Sequence, residues 1–200
     1  MGRVFLGIVL VVILAPLILF VWLYLGRVPV AVADPPLPKE RLLTGIPLHA
    51  RIGREMLKTP LIQPDEDNLT AGAQIYRDQC AACHGLHAKP SAFGPHMYPP
   101  APPLWEKHHN NNVVGVSDDS PGETYWKVAN GIRLTGMPAY RDVLTETQMW
   151  QVSILLANAD KPLPPGAVDI LRGQAPPALP GVELPAVPAK SKVKQVRALH

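Results

Sequence analysis

The chain has 200 residues, a length that fits one folded domain with appendages. Its formal net charge is only +3, which gives no support to nucleic-acid binding. The charge is divided along the chain: residues 65–160 carry 6 Lys/Arg against 11 Asp/Glu, a net of −5, whereas each flanking segment has a net of +4. Proline follows the same division, with 7 residues in 28–64 and 8 in 161–200. We therefore expect an acidic folded middle between basic, proline-rich flanks.

The N-terminal segment predicts a membrane helix. Residues 4–25 contain no charge, and a helix of that length spans about 33 Å, enough for a bilayer core. A cleaved signal peptide is the alternative, because Ala31-Val32-Ala33 before Asp34 resembles a cleavage site. The apolar stretch is longer than the about 7–15 residues of a signal peptide. We predict a retained single-pass anchor over residues 1–27, with cleavage after Ala33 left open.

Residues 28–66 are predicted to form a Pro-rich linker, because their prolines should interrupt any long helix. At most, residues 51–58 would form two helical turns. The first helix of the following domain should begin near Asn68 or Thr70, which are good N-caps. Gly72 and Tyr76 lie on one stripe of this helix, and a glycine there indicates close packing by another helix.

That helix leads into Cys80-Ala81-Ala82-Cys83-His84, the attachment signature for c-type haem. Each thiol can form a thioether to a haem vinyl group, and the imidazole can then bind the iron. A zinc site is the alternative reading, but it needs two more soft ligands, and Cys80 and Cys83 are the only cysteines. A thioredoxin-like motif would need a βαβ context that the sequence does not suggest. We predict one covalent haem c on Cys80 and Cys83, with His84 as axial ligand.

The rest of the domain is predicted to be helical around a loop-rich segment, residues 85–117. Ser120-Pro121-Gly122-Glu123 and Thr145-Glu146-Thr147-Gln148 are capping boxes that should each begin a helix, the second ending near Ala159. From Lys161 the composition indicates a Pro/Lys-rich, largely disordered tail, with a short helix over residues 167–173. Its basic end is either a solvated tail or a contact for anionic lipid or an acidic partner.

A second axial ligand is predicted from the loop between those two helices. The candidates are Met97, Met137, Met149, His87, His96, His108 and His109. Met137 is favoured because Gly136 and Pro138 constrain the backbone beside it, so that its thioether can point inward. A soft sulfur ligand favours Fe(II) and raises the reduction potential.

Over about residues 67–160 the chain resembles class I c-type cytochromes. The matching pieces are Gly72 to Tyr76, the Cys80–His84 motif with Gly85, Tyr98-Pro99-Pro100, Asn130-Gly131, Gly136 to Ala139 and the helix with Trp150. The resemblance implies a small all-α bundle around one covalent haem, with the first and last helices crossing where the Gly72–Tyr76 stripe meets Trp150. It also implies that the carbonyl of Pro99 or Pro100 accepts a hydrogen bond from His84, and it makes Trp126 and Arg133 candidates for a haem propionate. The insert over residues 107–119 is a departure from the pattern of a minimal member of this family.

The expected domains are an anchor (1–27), a linker (28–66), a haem domain (67–160) and a tail (161–200). A haem with both axial positions filled has no site for substrate, so we expect an electron-transfer protein that is not itself an enzyme. Because such haems are normally attached outside the cytoplasm, the domain should face the periplasm from the bacterial inner membrane. It would carry electrons between respiratory partners with basic docking faces. The alternatives are a fixed haem subunit of a larger dehydrogenase or oxidase and, less favoured, a gas sensor or peroxidase-like enzyme.

Overall fold

The computed structural model describes residues 2–26, 28–108 and 113–173. This part of the chain contains seven α-helices, one 3₁₀ turn and no strand, which confirms the predicted all-α class. The helices are α1 (Gly2–Leu25), α2 (Glu40–Glu55), α3 (Glu66–Gln79), α4 (Ala81–His84), α5 (Pro121–Asn130), α6 (Glu146–Leu156) and α7 (Pro165–Leu171), and the 3₁₀ turn is Gly94–His96. His109 and the predicted disordered tail after residue 173 lie outside the described residues.

The first helix, α1, has the length and composition of a membrane span. Its window Gly7–Leu25 has a mean hydropathy of 3.0, and none of it is buried against the rest of the chain. Pro16 lies inside the helix without ending it. By length and composition, α1 therefore fits the predicted anchor, although a signal sequence would meet the same criteria.

The prediction that prolines would prevent a long helix in residues 28–66 is wrong, because α2 runs for 16 residues with Pro47 inside it. An interior proline removes one backbone hydrogen bond, so other contacts must stabilise the helix. Those contacts are tertiary. Ile52 is only 2% exposed, and the indole N–H of Trp126 in α5 donates to Glu55 over 2.9 Å. Docking on α5 thus outweighs the local disadvantage of the proline.

The core forms where α3 and α6 cross. An ideal Cβ on Gly72 would overlap the carbonyl oxygen of Gln151 and lie 3.1 Å from the Cβ of Leu155, which confirms close packing at this glycine. The aromatic partners differ from the prediction. Trp150 stacks on Tyr125 with ring centroids 4.3 Å apart, while Tyr76 meets the edge of a different tryptophan, Trp105, at 5.5 Å.

The first helix of the domain, α3, begins earlier than predicted. The N-cap of α3 is Asp65, whose carboxylate accepts the backbone N–H of Asn68 over 2.8 Å, so α3 begins at Glu66. The predicted N-caps, Asn68 and Thr70, instead lie inside the helix. Aspartate is itself a preferred N-cap residue, and this helix therefore gains one turn at its start.

The N-cap residues of α5 and α6 were predicted correctly, but only α6 forms the predicted capping box. Ser120 accepts the backbone N–H of Glu123 over 3.2 Å, although the Glu123 carboxylate pairs with Lys127 at 2.8 Å. Thr145 and Gln148 form the full reciprocal capping box, and α6 ends at Leu156 rather than near Ala159.

The last described helix, α7, belongs to the same core. Its residues Ala167, Ile170 and Leu171 are buried in the core that also contains α3 and α6. The packed domain therefore extends past residue 160, the predicted end of the haem domain.

Candidate haem site

The Cys80–His84 motif forms a single compact turn at the end of α3. The backbone N–H groups of Cys83 and His84 both donate to the carbonyl of Cys80, over 3.1 and 3.0 Å. Gly85 then adopts φ = 76°, where a Cβ would lie 3.0 Å from the carbonyl oxygen of Lys89. A residue without a side chain is needed for the chain to leave the motif in this direction.

A buried hydrogen bond joins this turn to the core. The hydroxyl of Tyr76 donates to the carbonyl of Gly85 over 2.7 Å, and the Tyr76 side chain is fully buried. Burial raises the pKa of Tyr76, so the hydroxyl stays protonated and remains a donor. The motif is therefore joined to α3 at both ends: it follows α3 directly along the chain, and this hydrogen bond ties Gly85, the residue after it, back to Tyr76.

The imidazole of His84 is oriented by Pro102, whose carbonyl lies 2.8 Å from Nδ1. The expectation of Pro99 or Pro100 in this role is wrong: the segment contains several prolines, and only the folded loop shows which carbonyl reaches the ring. Because a carbonyl can only accept, Nδ1 carries the hydrogen and the lone pair is on Nε2. Burial lowers the pKa of His84, although the Pro102 hydrogen bond raises it in part. A neutral imidazole is the form that binds a metal.

The motif faces a cavity of about 170 Å³. Its lining includes Cys80, Cys83, His84 and Met137, so the structure brings together both thiols and the two predicted axial ligands. The loop that carries Met137 is held by two bonds: the backbone N–H of Met137 donates to Thr135 Oγ1 over 3.1 Å, and its carbonyl accepts from Ile132 over 3.2 Å.

The other candidate ligands fall into two groups. Met97 also lines the cavity, and a Cβ on Gly136 would overlap its methyl group. Met149 is buried within α6, and among the histidines that the structure describes only His84 borders the cavity, so His87, His96 and His108 are not brought into it.

A second, larger cavity of about 680 Å³ adjoins the first and shares Pro99, Ile132 and Thr135 with it. Cofactor and ligand pockets are commonly about 300–1,000 Å³, so the smaller cavity alone is too small for a macrocycle. The two cavities together, with an apolar lining and a neutral imidazole beside two thiols, fit a haem. Sequence reasoning missed that α2 lines the larger cavity, because α2 was expected to be linker.

The two residues predicted as propionate partners both border the larger cavity, but only one of them is available to bind a propionate. The indole N–H of Trp126 is already used by Glu55, so Trp126 does not fit this role. Arg133 lies exposed at the cavity and remains available.

The described residues contain no group of three or more His, Cys, Asp and Glu side chains that could hold a metal ion. Burial, with a contribution from Cys83, raises the pKa of the Cys80 thiol to about 12.

A family model described as "Cytochrome C oxidase, cbb3-type, subunit III" matches residues 67–154. No curated protein and no solved structure matches the chain. The matched segment contains α4, α5, most of α3 and α6, and the cavity residues from Cys80 to Met137, whereas α1, α2 and α7 lie outside it. The family implies haem c as cofactor and one-electron transfer as the activity, and α1 fits membrane anchoring. Residues 67–154 are therefore a class I c-type cytochrome domain.

Proposed function

We propose that the chain carries one haem c, attached through Cys80 and Cys83 with His84 and Met137 as axial ligands. It would transfer single electrons between respiratory redox partners on the periplasmic side of the bacterial inner membrane. The observation that carries this proposal is the single cavity lined by both thiols, the Pro102-oriented His84 and Met137. The bound haem supplies the one-electron Fe(II)/Fe(III) change, and the chain controls access and potential.

The residues of the cavity have distinct tasks. Pro102 keeps Nδ1 protonated and so leaves the Nε2 lone pair free to bind the iron of a haem; a hydrogen bond of this kind would orient the ligand and tune its basicity. Met137 contributes a soft sulfur that favours the reduced state. With both axial positions filled by the chain, no position remains for a substrate or gas, which favours a carrier over a sensor or peroxidase.

Absorption spectroscopy of two matched variants tests this assignment. Met137→Ala should abolish the methionine-to-iron charge-transfer band of the oxidised protein and lower the reduction potential, while Met97→Ala should retain the band. Met97 is a fair control because it lines the same cavity with the same thioether. A wild-type protein with a high-spin haem, or loss of the band in Met97→Ala alone, would contradict the ligand assignment.

A fixed haem subunit of a larger membrane oxidoreductase is the second candidate. The description of the matched family as an oxidase subunit favours it, and so does the membrane-type helix α1. Purification from membranes in mild detergent separates the two candidates. A stoichiometric oxidase or dehydrogenase that remains bound through gel filtration supports the fixed subunit, whereas a lone cytochrome supports the mobile carrier.

The charge of residues 65–160, a net of −5, supports partners with basic docking faces. Electron exchange with such a partner should slow as ionic strength rises, because exposed charges are screened over about 10 Å at 0.1 M salt. Stopped-flow rates that do not depend on salt would contradict this part of the proposal.

A further inference from the structure

The helix α2 lies outside the family-matched residues, yet it forms one wall of the 680 Å³ cavity. Eight of its residues between Glu40 and Arg51 border this cavity. The rest of the lining consists of Tyr98, Pro99, Trp126 and residues 130–135. Since Pro99, Ile132 and Thr135 also line the cavity of the haem motif, α2 borders a cavity that adjoins the haem site.

The position of α2 is fixed by specific contacts of the helix, and of the chain directly after it, with α5. Glu55 accepts hydrogen bonds from Trp126 Nε1 and from Arg51 Nε, both over 2.9 Å. The Arg51 guanidinium also lies 5.9 Å from the centre of the Trp126 ring. After α2 the chain passes so close to α5 that a Cβ on Gly122 would overlap the carbonyl of Leu57. These contacts make α2 a docked wall of the domain.

The charges on this cavity match a haem edge. Its lining carries three guanidinium groups, on Arg41, Arg51 and Arg133, and one carboxylate, on Glu40. Because Arg51 pairs with Glu55, one positive charge remains in excess. The rest of the lining is mainly apolar. A haem presents an apolar ring with two propionates at one edge, so both its surface and its charge complement this lining.

Two exposed leucines also indicate that a haem occupies this cavity. Leu43 is 69% exposed and Leu134 is 75% exposed, although both border the cavity. Apolar side chains at a cavity mouth are stabilised when an apolar ligand covers them. A macrocycle that extends from the Cys80–His84 motif would do so.

Arg41 is the cation on α2 best placed to pair with a propionate. Arg51 already binds Glu55, whereas the Arg41 guanidinium makes no hydrogen bond or ion pair with the described residues. We propose that α2 is a wall of the haem site and that Arg41 is an ion-pair partner of a haem propionate. This inference rests on the proposed function, because it requires haem on Cys80 and Cys83.

A cation at this position should tune the reduction potential. Fe(III) haem carries one more positive charge than Fe(II) haem, so a nearby guanidinium stabilises the reduced state relative to the oxidised state. Removal of the guanidinium charge should therefore shift the equilibrium toward Fe(III). A residue that only stabilised the fold of α2 would not shift it in this charge-dependent way.

The test is spectroelectrochemical titration of the full-length holoprotein in detergent. In Arg41→Gln, the Fe(II)/Fe(III) ratio at a fixed ambient potential should fall about threefold to tenfold, where tenfold corresponds to about 59 mV for one electron. Arg41→Lys, which keeps the charge, should stay near wild type. Arg54→Gln is the matched control, because Arg54 lies on α2 but does not border the cavity.

The outcomes are distinguishable. If Arg41→Gln lowers the ratio while Arg41→Lys and Arg54→Gln do not, the inference holds. If covalent haem is present but Arg41→Gln and Arg54→Gln titrate alike, the inference fails and the proposed function stands. If the wild-type chain carries no covalent haem on Cys80 and Cys83, the proposed function itself fails.

Discussion

Replacement of Gly72 by alanine tests the packing that positions the haem motif, because Gly72 lies in α3 two turns before Cys80. At this position α3 and α6 approach backbone to backbone. The new Cβ would lie 2.8 Å from the carbonyl carbon of Gln151 and 3.1 Å from the Cβ of Leu155. Carbon atoms prefer separations of about 3.5–4.0 Å, so α6 must move by about 0.7 Å. A backbone carbonyl cannot relieve the overlap by rotating a side chain.

The expected cost follows from two opposing effects. Overpacking of a core costs about 1–3 kcal/mol, and a backbone overlap belongs at the upper end of that range. Alanine recovers about 1 kcal/mol of helix propensity relative to glycine. We therefore expect Gly72→Ala to reduce the free energy of unfolding by about 2 kcal/mol. For a domain of this size, that lowers the melting temperature by about 10 °C.

Thermal and urea unfolding of the full-length protein, followed by circular dichroism, measures this loss. Gly166→Ala is the matched control, because its Cβ would meet only the Thr70 side chain of α3, at 3.5 Å and beyond. This control should be as stable as wild type or up to about 1 kcal/mol more stable. A Gly72→Ala protein that melts at or above the wild-type temperature would refute the close approach of α3 and α6.

Two further substitutions test the contacts around the site. Tyr76→Phe should lower the free energy of unfolding by about 1–3 kcal/mol, since it leaves the Gly85 carbonyl without its buried donor; unchanged stability in urea titrations would contradict this. The pKa of Glu55 lies below its ordinary 4.5 because Trp126 and then Arg51 donate hydrogen bonds to its carboxylate. Its stabilising effect is therefore present above pH 4.5 and lost as the pH falls through the lower folded-state pKa. The difference in melting temperature between wild type and Glu55→Gln should therefore shrink as the pH is lowered below 4.5. A difference that does not depend on pH would argue against this contact.

The haem motif and two helix starts could be predicted from the sequence because their chemistry is local. Cys80, Cys83 and His84 act within one turn, so their spacing alone indicates the cofactor. Ser120 and Thr145 cap helices through bonds to residues three positions later, which the linear pattern contains. Met137 could be chosen from its glycine and proline neighbours, and the fold brings it to the same cavity as His84.

Only the tertiary structure decided the contacts that join distant segments. Which proline carbonyl reaches His84 depends on how the loop after the motif folds, and that carbonyl belongs to Pro102, 18 residues away. The helix α2 persists through Pro47 because Glu55 binds Trp126, 71 residues along the chain. Local propensity disfavoured a helix through Pro47 and did not distinguish one proline carbonyl from another. Packing and hydrogen bonds between distant residues decide both, because they outweigh the small energies on which sequence patterns depend.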